Sequence, residues 1–197
     1  MRNALCILLL ILSACQSESN YILKGQLPDK TYDREVIYLV PFENAVKERV
    51  DSTFIKDGAF QFAGYAKIPE IYIIRAKPVL RYNLEELLLV REPGELTVKI
   101  GKNSSVQGTP LNDSLQYWKE RKMRFDFVNA ELVKQFRVAD EASKPGIQQR
   151  ADSLHVDAIN FHFNFVLNNK NNIVGQFVQK IMSSSFTAEQ KKKLDIK

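Results

Sequence analysis

Between residues 20 and 109 short apolar runs alternate with turn signals, and after that the hydrophobic period changes. The runs are YILKGQL (21–27), EVIYLVPF (35–42), ERVDSTFIK (48–56), AFQFAGY (59–65), IYIIRAK (71–77), LEELLLVRE (84–92) and ELTVKIG (95–101), with a short further strand at SSVQG (104–108). Runs spaced by roughly 8 to 12 residues predict antiparallel strands rather than βαβ crossovers. Seven to eight such strands can cover both sides of a core, as a β-sandwich or an open barrel. One hairpin is readable in register. Asp57-Gly58 makes a two-residue type I′ turn, which pairs Lys56 with Ala59, Ile55 with Phe60 and Thr53 with Phe62. That puts Ile55, Phe60 and Phe62 on the core face and Phe54 on the other, and it sets Asp51 opposite Gly64 as a turn-stabilising carboxylate.

From Pro110 onward the apolar positions fall at alternating steps of four and three. Leu111, Leu115, Trp118, Phe125, Leu132 and Phe136 lie on one helical face, interrupted by Lys122 and Asn129. Asn112 or Asp113 is the expected cap. Lys144-Pro145-Gly146 breaks this pattern, and a second helix follows to about Leu167. A third, shorter helix covers IVGQFVQKIM with Ile173, Val174, Phe177, Val178 and Ile181 inward, and Thr187 with Gln190 opens a last helical turn. The expected fold class is therefore α+β, a β-module over 21–110 followed by a helical segment over 111–197.

The first twenty residues change the picture. Arg2, an apolar run from Ala4 to Ala14 and then Cys15 have the layout of a secretory leader, too short for the ~20 residues of a membrane-spanning helix. Leu12-Ser13-Ala14-Cys15 resembles the bacterial lipobox. That resemblance implies cleavage after residue 14, a diacylglycerol thioether on Cys15 and a tether over 15–20. Two or more acyl chains hold a protein stably to a bilayer, each buried methylene contributing about 0.8 kcal/mol. Cys6 would leave with the leader, so the mature chain would carry no free thiol and no CxxC chemistry. The expected location is the cell envelope, at the outer membrane with the folded part in the periplasm, cell-surface display remaining open.

Composition adds little. The hydrophobic content of 45% supports a real core, and the net charge of +5 falls by one once Arg2 leaves. The basic residues are scattered apart from Lys191 to Lys193, with no interleaved exposed aromatics, so no nucleic-acid surface is expected.

Candidate chemistry is sparse. His155 and His162 share a helical face with Asp152 near them, yet a zinc site usually takes ligands at i and i+4 or from several elements, and half-exposed helical histidines are the better reading. Phe161, Phe163 and Phe165 suit core packing better than ligand stacking. Glu85 and Glu86 are strand neighbours that point to opposite faces. No GxSxG, HExxH, GxGxxG, Walker loop or SxxK occurs. No catalytic residue, cofactor or metal ligand is assigned. The tripeptides beginning at Asp51, Asp113 and Asp152 resemble the Asp-Ser/Thr-apolar O-glycosylation sites of some secreted bacterial proteins, with Ser52, Ser114 and Ser153 as acceptors, although strand and capping roles compete at each.

VDSTFIKDGAFQFAG followed by Pro69, then REPGELTVKI, then VQGTPLND, resembles the N-terminal domain of unknown function that precedes the thioredoxin module in TlpA-like thiol-disulfide lipoproteins of the Bacteroides group. The resemblance runs over 21–112, and the redox domain that follows it in that family has no counterpart here. It implies a lipid-anchored envelope accessory or binding module without catalytic activity of its own. The alternative is a truncated or split relative of such an oxidoreductase, acting with a separate thioredoxin-like partner.

Overall fold

The structure, a computed structural model, describes residues 20–76, 87–101 and 103–195. Its strands are β1 (Asn20–Gln26), β2 (Val36–Pro41), β3 (Asp51–Phe54), β4 (Ala59–Tyr65), β5 (Glu70–Ala76), β6 (Leu87–Arg91), β7 (Gly94–Lys99) and β8 (Ser105–Gln107). They form two four-stranded sheets, ordered β4-β1-β7-β8 and β3-β2-β5-β6. The fold is α+β, an open sandwich not closed into a barrel. All neighbours are antiparallel except β1 and β7, which run parallel with Tyr21 beside Gly94, so the expectation of a wholly antiparallel sheet is corrected at that one pair.

Alternation sets the sandwich core. Leu23 from β1, Phe60 and Phe62 from β4, Leu96 and Val98 from β7 face Ile37 and Leu39 from β2, Tyr72 and Ile74 from β5, and Leu87 and Leu89 from β6. The other faces of β5 and β6 are covered as well. Ile71 and Val90 pack on the helices with Leu115, Trp118, Phe165, Val166, Phe177 and Val178. Two-sided burial is why IYII and LLLV read as unbroken apolar runs instead of alternating ones.

The Asp57-Gly58 turn forms, with positive φ at both residues and a bridge from Lys56 to Ala59. The ladder expected beyond it does not. Ile55 donates its N–H to the Glu35 carbonyl and accepts from Arg34 N, while both turn amides donate to the Asp33 carboxylate. The turn is thus the corner at which the chain leaves one sheet for the other. Thr53 pairs with Ile37 and Phe62 with Leu23. Asp51 lies opposite Leu39 and Gly64 opposite Tyr21, not opposite each other. The facing residues are nonetheless as expected, with Ile55, Phe60 and Phe62 buried and Phe54 exposed.

The helices are α1 (Pro110–Val138), α2 (Lys144–Asn169), α3 (Ile173–Met182) and α4 (Ala188–Lys193). Lys144-Pro145-Gly146 is the first turn of α2, because proline needs no partner for its missing N–H there. Asn172 caps α3 through Val174 N and Gly175 N, and Thr187 with Gln190 forms the capping box of α4. Ile181, expected inward, is exposed.

Neither Asn112 nor Asp113 caps α1; Thr109 is the N-cap residue, and the capping oxygen comes from the β6–β7 turn. Glu92 Oε1 accepts from Thr109 Oγ1 (2.5 Å), Leu111 N (2.9 Å), Asn112 N (3.1 Å) and Asn112 Nδ2 (3.2 Å). A carboxylate among the first free amides of a long helix also meets the positive end of its dipole. Asn112 is wholly buried, and its amide does the work of a neighbouring strand: Oδ1 accepts from Val90 N (2.8 Å) and Nδ2 donates to Val90 O (2.7 Å). One turn on, Gln116 Oε1 accepts from Val106 N (3.2 Å).

Glu92→Ala is expected to lower stability by about 3 kcal/mol, because it strips an anionic acceptor from two backbone amides and two buried side chains. Glu92→Gln should cost less. Urea unfolding of the three proteins measures both, and coincident midpoints would show that the carboxylate holds nothing.

Candidate functional site

The β2–β3 connection, the start of β5 and one face of α3 enclose a cleft of about 260 Å³. Phe42 N donates to Ile71 O and extends the β2–β5 ladder by one residue, which sets the Phe42 ring edge-on to Phe177 at 5.1 Å. Phe42, Ile71, Ile173 and Phe177 make the apolar floor. The chain then turns back through Asn44, at positive φ, and a short 3-10 turn (Lys47–Arg49) that delivers Arg49 to the rim.

Arg49 Nη2 donates to Glu70 Oε1 (2.6 Å), and Arg91 Nη2 donates to Glu70 Oε2 (2.7 Å). Glu70 and Arg91 are cross-strand partners on β5 and β6, so sheet register places that second pair. The Arg91 guanidinium lies 4.4 Å over the Tyr72 ring, and its buried Nε has no hydrogen-bond partner. Across the cleft Lys180 of α3 closes an ion pair with Glu43. The rim therefore alternates in sign: Arg49 beside Glu70, Lys180 beside Glu43.

Arg49 also borders a second, more polar opening between the sheets, lined by Tyr21, Glu48, Asp51, Tyr72 and Arg91. Burial pushes the Tyr21 and Tyr72 hydroxyls above the usual phenol range, with Arg91 pulling each back. Both phenols stay protonated at neutral pH. The cleft offers apolar contact and paired charges of both signs.

The sequence-predicted candidates do not converge on it. His155 is exposed, whereas His162 is buried, so the expectation of two half-exposed histidines is corrected for both. Trp118 Nε1 donates to His162 Nδ1 at 3.0 Å. Phe161 stacks among Tyr117, Phe125 and Phe165, Phe163 meets Phe186, and Phe165 is buried, all of it packing between helices. Ser52 is exposed on β3, Ser153 is exposed on α2, and Ser114 is half-buried with its hydroxyl toward Asn169 Oδ1 (3.4 Å). Cys15, Glu85 and Glu86 lie outside the described residues. Among the described residues no three His, Cys, Asp or Glu side chains gather as a metal site. Arg49, Glu70 and Lys180 escaped sequence reasoning, because each pair they form spans distant segments.

Burial lowers the His162 imidazole to about 4 from its ordinary 6.5, and the Lys122 charge acts in the same direction against Asp126. The unfolded chain thus takes up this proton first on acidification. The stability held by neutral His162 is complete above pH 6.5 and is lost as pH falls toward 4, by about 3 kcal/mol at most. Urea midpoints between pH 7 and 4 should fall for the parent protein, and should fall less for His162→Phe by that amount. Parallel profiles would contradict this.

Residues 21–115 match the family model described as Domain of unknown function (DUF4369). No curated protein matches the chain. The match begins in β1 and ends at Leu115, so it takes in the sandwich together with Glu92, Asn112 and the first turn of α1. The family match thus covers the two sheets, and α3, which lies outside it, builds the far wall of the cleft.

Proposed function

We propose that this chain is a lipid-anchored accessory module of the cell envelope that binds a partner protein and performs no chemistry of its own. In this reading the leader is cut after residue 14, Cys15 carries the lipid, and the folded body stands in the periplasm beside the outer membrane. The cleft is the observation that carries the binding role. Its floor of Phe42, Ile71, Ile173 and Phe177 suits one apolar side chain, and its rim of Arg49, Glu70, Glu43 and Lys180 suits a flanking peptide with charges of both signs. A thioredoxin-like envelope protein is the partner that the resemblance over 21–112 favours.

A photo-crosslinking residue at Gln176, exposed on the rim, should trap the partner in the native-type envelope, and one at Ser153 should not. Adding Phe42→Ala and Lys180→Glu should cut the yield at 176 about tenfold, equivalent to roughly 1.4 kcal/mol of binding. Equal yields at the two positions would overturn the cleft as the binding site. Turnover of ester, glycoside or peptide substrates by the purified protein, abolished by a single substitution, would overturn the non-catalytic half of the reading.

A further inference from the structure

Five large apolar side chains stand exposed on the described part of the β-module: Phe42, Val46, Phe54, Tyr65 and Ile68. Their exposures run from 37% to 70%, and strand direction sorts them. β1 starts at Asn20, and Asn20 pairs with Tyr65 at the end of β4. The β4–β5 connection, with Lys67 and Ile68, follows directly. β2 ends at Pro41 beside Tyr72 near the start of β5, so the connection carrying Phe42, Val46 and Lys47 leaves from the same end. Phe54 alone lies at the opposite end, paired with Val36 at the start of β2. Four of the five thus gather where the chain enters the fold.

Only residues 16–19 separate Cys15 from Asn20. Fully extended, that link reaches no more than about 18 Å. We propose that this end of the sandwich is a bilayer-contacting rim. Tyr65, Ile68 and Val46 enter the interfacial zone of the leaflet that holds the protein's own anchor, and Lys47 and Lys67 meet lipid phosphates, while Phe42 stays packed in the cleft against Phe177. The occupant is a lipid surface because the short tether holds the rim within reach of one at all times, so each insertion is effectively intramolecular and weak contacts suffice. Aromatic and aliphatic residues with lysine heads are the chemistry that zone accepts. The acids at this end do not oppose it as a block. Glu70 is held by Arg49 and Arg91 and Glu43 by Lys180, while Glu48 and Asp51 border the opening between the sheets.

The inference rests on the anchored reading, and its test separates the two. The acyl mass on Cys15, measured in protein from a native-type host, reports on the anchor alone. For the rim, the mature chain with Cys15→Ser and an N-terminal hexahistidine tag is held on phosphatidylethanolamine–phosphatidylglycerol vesicles containing a nickel-chelating lipid. A bimane label is placed by Ile68→Cys, by Val46→Cys or, at the far helical turn, by Ala142→Cys. A headgroup-region nitroxide lipid should quench the labels at 68 and 46 and leave that at 142 unchanged. Lys67→Glu together with Tyr65→Ser should reverse the quenching at 46 without altering the far-ultraviolet circular dichroism. Equal quenching at all three positions, or none at 68 and 46, overturns the rim whatever the state of Cys15.

Discussion

Two β-strands of this protein end their sheets on the same side, and their unpaired N–H and C=O groups must be met by something. β6 closes one sheet and β8 the other, and a bare edge of this kind recruits foreign strands. α1 answers both edges with side-chain amides. Asn112 exchanges two hydrogen bonds with Val90 of β6, Gln116 accepts from Val106 of β8, and Lys119 reaches Leu88 O. An amide fits because it carries a donor and an acceptor at the spacing of a peptide group. Leu or Ala at position 112 would leave two backbone groups buried and unmet. Glu92 makes the arrangement rigid, since its carboxylate fixes the first turn of the helix, from which Asn112 meets β6 and Gln116, one turn on, meets β8. Burying that charge costs several kcal/mol, offset by four donors and the helix dipole.

Everything beyond the sandwich inherits its position from that seam. With Asn112 pinned, Trp118 falls against the outer face of the second sheet, and its ring meets Phe177 of α3 edge-on at 6.3 Å. Phe177 in turn meets Phe42, so one wall of the cleft is set by helix packing and the other by the β2–β5 ladder. The Arg49–Glu70–Arg91 bridge ties the loop side of the cleft to the sheet. These arginines are roughly one-quarter to one-third exposed, so the bridge orients side chains more than it stabilises the fold.

Elements were legible in the sequence where they depend on local chemistry, and illegible where they depend on pairing at a distance. All eight strand segments were readable from apolar runs, and α4 from Thr187 and Gln190. Asp57-Gly58 was readable as a turn, but the ladder behind it depended on Asp33, Arg34 and Glu35 competing for the same backbone groups. Asn112 read as a cap because Asn at a helix start usually is one; only the edge of β6 gives it another role. REPGELTVKI and VQGTPLND, separate stretches in the sequence, form one joint. A Cβ at Gly108 would stand 2.4 Å from the Glu95 carbonyl oxygen, at a φ of +115° that glycine alone adopts readily. The cleft had no sequence signature, because Phe42, Glu70 and Phe177 come from three elements whose adjacency is tertiary.

The same seam gives the molecule a direction. α1 begins at the end of the sandwich where β1 begins, and its polar contacts with β6 step backward along that strand, from Val90 at Asn112 to Leu88 at Lys119. Its 29 residues span about 43 Å, whereas the seven residues of β1 span about 23 Å. After Trp118 the only buried residue of α1 is Leu132, as expected of a helix that has outrun its sheet and packs on α2 alone. Its last turns, with Val133 and Val138 exposed, therefore project from the end opposite Asn20. An anchor at Cys15 would hold one end of this body to a leaflet and carry the helical turn away from it, with the cleft near the bilayer. A partner engaging that cleft would then meet it alongside the membrane, which favours one that is itself confined to the envelope surface.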